Sequence, residues 1–323
     1  MRREYAPVAA MAVLLVASQA VAIALSPLFQ SSGFQAFPNP SDVTNTAIYI
    51  ILILVFTAVI LGLVRYRRQN LAKYVIMASI FVTLAFVLLL PLYYGLWYGT
   101  GQSQDPNFLN SLANVATLLS FAVAAVLLYL LVKFPEWYVV DTIGFVTAAG
   151  VTAILGISFG LLPAILLLVA LAVYDAWAVY RTKHMITLAD ELTSQRLPIL
   201  LVIPKKAGYS FREQKSLKGQ IAAGEEREAM FIGLGDLIIP GILSVSAFTF
   251  LNDPALLGRS LGPVAPFMTV ALGTVIGSLV GFFVLMRYVL KGNPQAGLPL
   301  LNGGALLGFL VTSLVVYGTI HIV

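Results

Sequence analysis

Asp175 and Asp236 are the residues of this 323-residue chain best placed to do chemistry. Each stands inside an apolar run long enough to span a bilayer as a helix, for which about 20 residues suffice. An acid in hydrocarbon costs at least about 2.5 kcal/mol on the most lenient scale, so it marks a functional site by default. Asp175 lies six residues before Arg181, a rise of about 9 Å along a helix. Asp236 lies seven residues after Ala229, where the next spanning helix begins, a rise of about 10 Å from the same face. The two runs are consecutive and enter from the same side, so they carry one carboxylate each to matching depth.

No Lys, Arg or His stands at that depth, so each acid is the other's most plausible partner. Two carboxylates close together in a low dielectric cannot both ionise and instead share a proton. One is then a base that activates water, the other an acid that protonates a carbonyl oxygen, with pKa values that belong to the pair. The surroundings of Asp236 suit a site. Gly233 and Gly235 flank Leu234 and bare the approach to the acid, and they let another backbone come close. Pro240 removes a further helical hydrogen bond.

The elements that must position these acids are membrane spans. The chain is 59% hydrophobic and 10% charged with a mean hydropathy of +0.93, whereas soluble domains carry about 25% charge. An all-α polytopic bundle is predicted, organised as one domain over residues 1–323. Its spans run from Val8 to Leu25, Thr46 to Val64, Tyr74 to Tyr98, Leu112 to Val132, Tyr138 to Ile157, Pro163 to Tyr180, Ala229 to Leu251, Pro263 to Leu290 and Leu298 to Val323. The first resembles a signal peptide with Ala22-Ile23-Ala24 as a cleavage site, but its length favours a retained span. Between spans six and seven, Met185, Leu188, Ala189 and Leu192 fall at helical spacing and predict a helix on the membrane surface. Leu197–Pro204 is a short apolar run between prolines that suits an edge strand, and Lys205–Glu228 reads as a solvated linker. Gly273, Gly277 and Gly281 form a small-residue ridge for close helix packing.

Eighteen of the nineteen Arg and Lys residues fall on one side of this arrangement, with Arg259 alone on the other. The positive-inside rule then puts the N-terminus and the 181–228 connection in the cytoplasm and the C-terminus outside. The net charge of +5 is spread between spans as a topology signal, which argues against a nucleic-acid partner. There is no cysteine, hence no disulfide, thiol nucleophile or cysteine-held metal.

Tyr174-Asp175 in span six and Gly233-Leu234-Gly235-Asp236 in span seven resemble the paired YD and GLGD motifs of the presenilin and signal peptide peptidase family of intramembrane aspartyl proteases. The family's third element is a Pro-Ala-Leu-Pro segment opening span nine. Here the matching stretch is Ala296-Gly297-Leu298-Pro299, so Leu298 and Pro299 fit while Pro-Ala is replaced by Ala-Gly. The span count, the motif order and an inside N-terminus are similar to the archaeal-type presenilin homologues. The resemblance implies a protease that cuts transmembrane peptide segments in the cell membrane, with Asp175 and Asp236 catalytic and no cofactor. It implies supporting or substrate-binding roles for Tyr174, Gly233, Leu234, Gly235, Gly297, Leu298 and Pro299. It also implies that the strand around Leu201 pairs with an unwound substrate. Lipid is the expected surrounding; accessory subunits are not required by the sequence, and self-association is left open.

Other readings weigh less. Paired acids and broken helices also serve proton- or cation-coupled secondary transporters, which should show repeat symmetry that is not visible here. Gly156-Ile157-Ser158-Phe159-Gly160 matches a serine-nucleophile pattern by string alone, away from any strand-to-helix turn. His184 and His321 are too far apart in sequence to suggest a zinc site. Asp141, five residues after Glu136, reads as an interfacial acid eased by its helix N-terminus.

Overall fold

The structure is a computed structural model that describes residues 2–66, 68–182, 200–206, 208–211, 228–253, 255–256, 258–260, 263–291 and 295–321. Six helices come first: α1 (Arg2–Ser31), α2 (Thr44–Arg65), α3 (Gln69–Gly99), α4 (Pro106–Lys133), α5 (Trp137–Ser158) and α6 (Leu161–Trp177), the last opening into a π turn at Ala178–Thr182. Two short strands follow, β1 (Leu200–Pro204) and β2 (Ala229–Gly233), and then α7 (Leu234–Phe250), α8 (Pro266–Val289) and α9 (Leu298–Tyr317). Among the described residues eight helices are long and apolar enough to cross a membrane, and α7, at 17 residues, is the shorter ninth. The expected surface helix at 181–195 lies almost wholly outside the described residues, as do Leu197–Ile199 and most of the Lys205–Glu228 linker.

One expectation is corrected. The run from Ala229 does not begin as a helix: its first five residues form β2, and the helix starts only at Leu234. Met230, Phe231 and Ile232 are as acceptable to a strand as to a helix, and Gly233 breaks whichever precedes it. The fold is therefore helical with a two-stranded antiparallel sheet. Leu200 faces Gly233, Val202 faces Phe231 and Pro204 faces Ala229. Lys205 N–H donates to Glu228 O at 2.8 Å, one step beyond that last pair. Alternation along an antiparallel ladder then makes Leu201–Ile232 and Ile203–Met230 the hydrogen-bonded pairs. Val202 and Phe231 consequently turn their backbone groups outward, on opposite edges of the sheet.

Helix α7 is the axis of the bundle. It packs against α1, α5, α6, α8 and α9, and its run from Ile239 to Ala247 is buried throughout. Polar groups in such a core must be satisfied internally. Fully buried Gln19 of α1 does this for three helices at once: its Nε2 donates to Ser278 Oγ of α8 at 3.0 Å and its Oε1 accepts from Ser244 Oγ of α7 at 2.8 Å.

The α8 ridge finds its partner in α9. A methyl group on Gly277 would collide with Gly304 O, one on Gly281 with Leu300 O, and one on Gly308 with Gly273 O. Backbones this close exclude any side chain between them. Gly303, one residue from Gly304, faces open space. Gly304→Ala is thus expected to destabilise the folded protein by about 1–3 kcal/mol, the cost of overpacking, while Gly303→Ala leaves the melting temperature unchanged or slightly raised. Thermal unfolding of both variants in the same detergent checks the pair.

Candidate active site

The helix ends, not the helix middles, build the site. Asp175 sits two residues before the end of α6, where the regular helix gives way to the π turn, a deviation frequent at functional sites. It is 9% exposed. Its Oδ2 accepts from Leu298 N–H at 3.0 Å, and the Gly297 N–H also donates to the carboxylate. Both donors belong to the first turn of α9, where backbone N–H groups have no helical acceptor.

Asp236 is the third residue of α7 and reaches back to the backbone N–H of Gly233, the residue that caps the helix. This is the carboxylate half of a capping box, and the positive end of the helix dipole favours an anion there. Pro240 lies four residues on, so the carbonyl it leaves without a helical donor is that of Asp236 itself. The charges of Asp175 and Asp236 lie within electrostatic reach of each other.

Gly297 joins the two halves. Its N–H serves Asp175, while a methyl group on its Cα would stand 2.9 Å from Asp236 Oδ1 and 3.2 Å from Oδ2. The departure from Pro-Ala-Leu-Pro is thereby given a physical meaning: glycine at 297 lets the α9 turn press directly on the second acid. Ala296 is buried and Pro299 occupies the first turn of α9, where a missing N–H costs no hydrogen bond.

The other expected residues divide. Leu234 packs toward α5, since a methyl on Gly144 would meet its Cδ1 at 3.1 Å. Gly235 is exposed and a Cβ there meets nothing, so its bareness leaves space in front of Asp236. Tyr174 is 42% exposed and leans on Trp177 at a ring distance of 6.4 Å; no hydrogen bond from its hydroxyl to Asp175 is found among the described residues. Leu201 is fully buried, and its backbone is turned inward to Ile232 of β2, not outward to an incoming strand. Ser158 of the serine-like string is buried, donates to Ile154 O and accepts from Ala36 N–H at 2.8 Å, which is a structural role. His321 packs edge-on against Tyr317, and His184 lies outside the described residues. Among the described residues no group of His, Asp and Glu could hold a metal.

Two contributors were missed in the sequence. Asn302, one turn into α9 and fully buried, donates Nδ2 to Leu168 O of α6 at 2.9 Å. It fixes α9 against the helix that carries Asp175; a lone amide in an apolar span is the signal that could have found it. Asp141 does not merely sit at an interface: its Oδ1 accepts from Val202 N–H of β1 at 2.7 Å. Its partner is 61 residues away, and no local signal reveals it.

The description "Signal-peptide peptidase, presenilin aspartyl protease" matches residues 11–318. Two solved structures of a presenilin family intramembrane aspartate protease are similar. One, in space group C222, is 35% identical, with 96% of this chain and 99% of the other covered and a TM-score of 0.64. The second, in space group P2, is 36% identical, with 95% and 97% covered and a TM-score of 0.63. No curated protein matches the chain.

If Gly297 is the joint, Gly297→Val should drive the α9 turn off Asp236 and lower peptide cleavage by about a hundredfold, the scale set by misplacing a catalytic group by an ångström. The melting temperature should change little, because the branched side chain enters the site and not the packed core. Turnover and unfolding measured on one preparation test this.

Proposed function

The chain belongs to the signal-peptide peptidase and presenilin aspartyl protease family, and we propose that Asp175 and Asp236 are the catalytic pair of this intramembrane aspartyl protease. The observation that carries the assignment is the convergence of three helix ends, those of α6, α7 and α9, on two acids. One carboxylate takes a proton from water while the other gives one to the carbonyl oxygen of the scissile peptide; hydrolysis of the bond returns the pair to its starting protonation. The amides of Gly297 and Leu298 orient Asp175 throughout. Nothing in the fold or the comparisons supports the transporter reading.

The substrate is a transmembrane peptide whose helix has to open, since a helical peptide bond is shielded by its own side chains. In our reading the opened strand adds to β2, not to β1. Phe231 turns its N–H and C=O outward, and no third strand pairs with this edge among the described residues. Pairing there supplies backbone hydrogen bonds and leads the peptide along Gly233 and Gly235 to Asp236. Leu201 then supports β2 from within the sheet. Leu298 and Pro299 wall the site from the side of α9, and Tyr174 borders it on the lipid side.

The whole chain acts as one unit with nine crossings, an inside N-terminus and an outside C-terminus in the cell membrane. The distribution of basic residues supports this orientation. Helix α7, at 17 residues, covers about 26 Å, short of the roughly 30 Å hydrocarbon core. β2 makes up the difference and leaves the Asp236 turn a little below the cytoplasmic surface, within reach of water.

Three outcomes follow. Asp175→Asn and Asp236→Asn should each abolish cleavage of a single-span substrate, read from fragment masses, while the protein stays folded; near-wild-type turnover in either would refute the pair. Activity should rise and fall with pH, because only the singly protonated pair is competent, and a flat profile across acid and neutral pH would contradict this. Phe231→Pro deletes one outward donor on an edge strand, where proline is tolerated. It should impair cleavage with little change in melting, whereas Leu201→Pro, which removes a bond inside the sheet, should lower both.

A further inference from the structure

Asp141 takes no part in the chemistry just described, yet it is a partly buried acid held to a strand that borders the site. Its Oδ1 accepts from the outward N–H of Val202 at 2.7 Å, and Val202 is fully buried. One turn further along α5, a methyl on Gly144 would stand 2.5 Å from Leu201 Cδ2 and 3.1 Å from Leu234 Cδ1. The same face of α5 thus seats both the middle of β1 and the first residue of α7.

The register carries this seat to the active site. With Val202 pinned, Leu201 and Ile203 fix Ile232 and Met230 across the ladder. β2 then runs straight into Gly233, whose N–H meets Asp236. The pin also closes one edge. On the outer side of β1 the Val202 donor is taken by Asp141 and Pro204 has none, so the middle and end of that edge offer no donor, whereas Phe231 turns its N–H outward on β2. Other charged and titratable groups stand close by. Glu136, at the N-terminus of α5, accepts from Ser210 Oγ at 2.9 Å and Phe211 N–H at 3.1 Å. Burial first, and then the charges of Glu228, Glu136 and Asp141, push the Tyr209 phenol above its ordinary value. The chain leaving β1 is therefore clipped to the same end of α5.

We propose that Asp141 is a positioning residue for peptide cleavage: through Val202 it sets where the β2 edge lies relative to Asp236, and so which substrate bond is cut. This rests on the reading that substrate pairs with β2. A purely structural role would lower stability without moving the cut.

The test measures kcat, KM, melting temperature and fragment masses on a single-span substrate for the full-length protein and its variants. Asp141→Asn keeps a carbonyl oxygen for Val202 and should cut at the wild-type bond with a kcat/KM within a few-fold of wild type. Asp141→Ala should lose about tenfold or more in kcat/KM, the scale of leaving a buried donor without its partner. Most of the loss should lie in KM, and the fragments should spread over neighbouring bonds. Gly144→Ala, which crowds Leu201 without touching the carboxylate, should spread the fragments in the same way and covers the case in which Asp141→Ala does not fold. Unchanged fragments in both Asp141→Ala and Gly144→Ala would overturn the proposal. So would an Asp141→Asn protein that melts normally but is as defective as Asp141→Ala, since charge and not acceptor geometry would then matter. Asp175→Asn run in parallel keeps the readings apart: its loss of all fragments tests the catalytic pair, whereas their masses in the Asp141 and Gly144 variants test the pin.

Discussion

The contact around which the site is built is that between the first turn of α9 and the two aspartates. Leu298 and Gly297 give Asp175 its backbone donors, and the bare Cα of Gly297 lies against Asp236. A carboxyl group in hydrocarbon is tolerated only where something replaces the water it has lost. Here the replacement is the set of unpaired N–H groups at two helix starts. That requires α9 to be held closely against its neighbours, and the interlocked glycines of α8 and α9 hold it so. Asn302 adds a second constraint by tying α9 to the helix that carries Asp175.

The strand-to-helix break before α7 follows from the same need. A continuous helix through Ala229–Leu251 would give Asp236 no free N–H groups, because every donor in a helix interior is already used. Starting the helix at Leu234 puts Asp236 in the first turn, and the preceding β2 supplies a ladder edge within a few residues of the acid. One discontinuity therefore provides both the environment of an acid and the strand edge on which we propose the unwound peptide docks. Gly233 is where the two meet.

Much of this was legible in the chain itself. Apolar length marked the long helices and four-residue glycine spacing marked the α8 ridge, while Asp175 and Asp236, read at matching depth, both meet Gly297. What could not be read has specific causes. The residues Met230, Phe231 and Ile232 are too few and too uniformly apolar to tell strand from helix. The outward or inward turn of Leu201 depends on a ladder parity that only the register defines. Gln19 and Asp141 look unremarkable locally because their partners are hundreds or tens of residues away. A strand rises faster than a helix, so the step from Ala229 to Asp236 is longer than a continuous helix would make it, and the two acids still converge on Gly297.

The choice of backbone amides over charged side chains to support the pair has a chemical logic. A lysine or arginine beside the aspartates would satisfy them as well in hydrocarbon, but it would favour the fully ionised pair. An ionised pair has no proton to give a peptide carbonyl, so such a site would be stable and inert. Amides at a helix start hold a carboxylate in place by hydrogen bonds and a partial charge only, which in the proposed mechanism leaves one proton free to move between the two acids. In a membrane a cation would also bring its own desolvation cost. The chain keeps its basic residues away from that depth, and the helix starts of α7 and α9 stand where such residues would otherwise be needed.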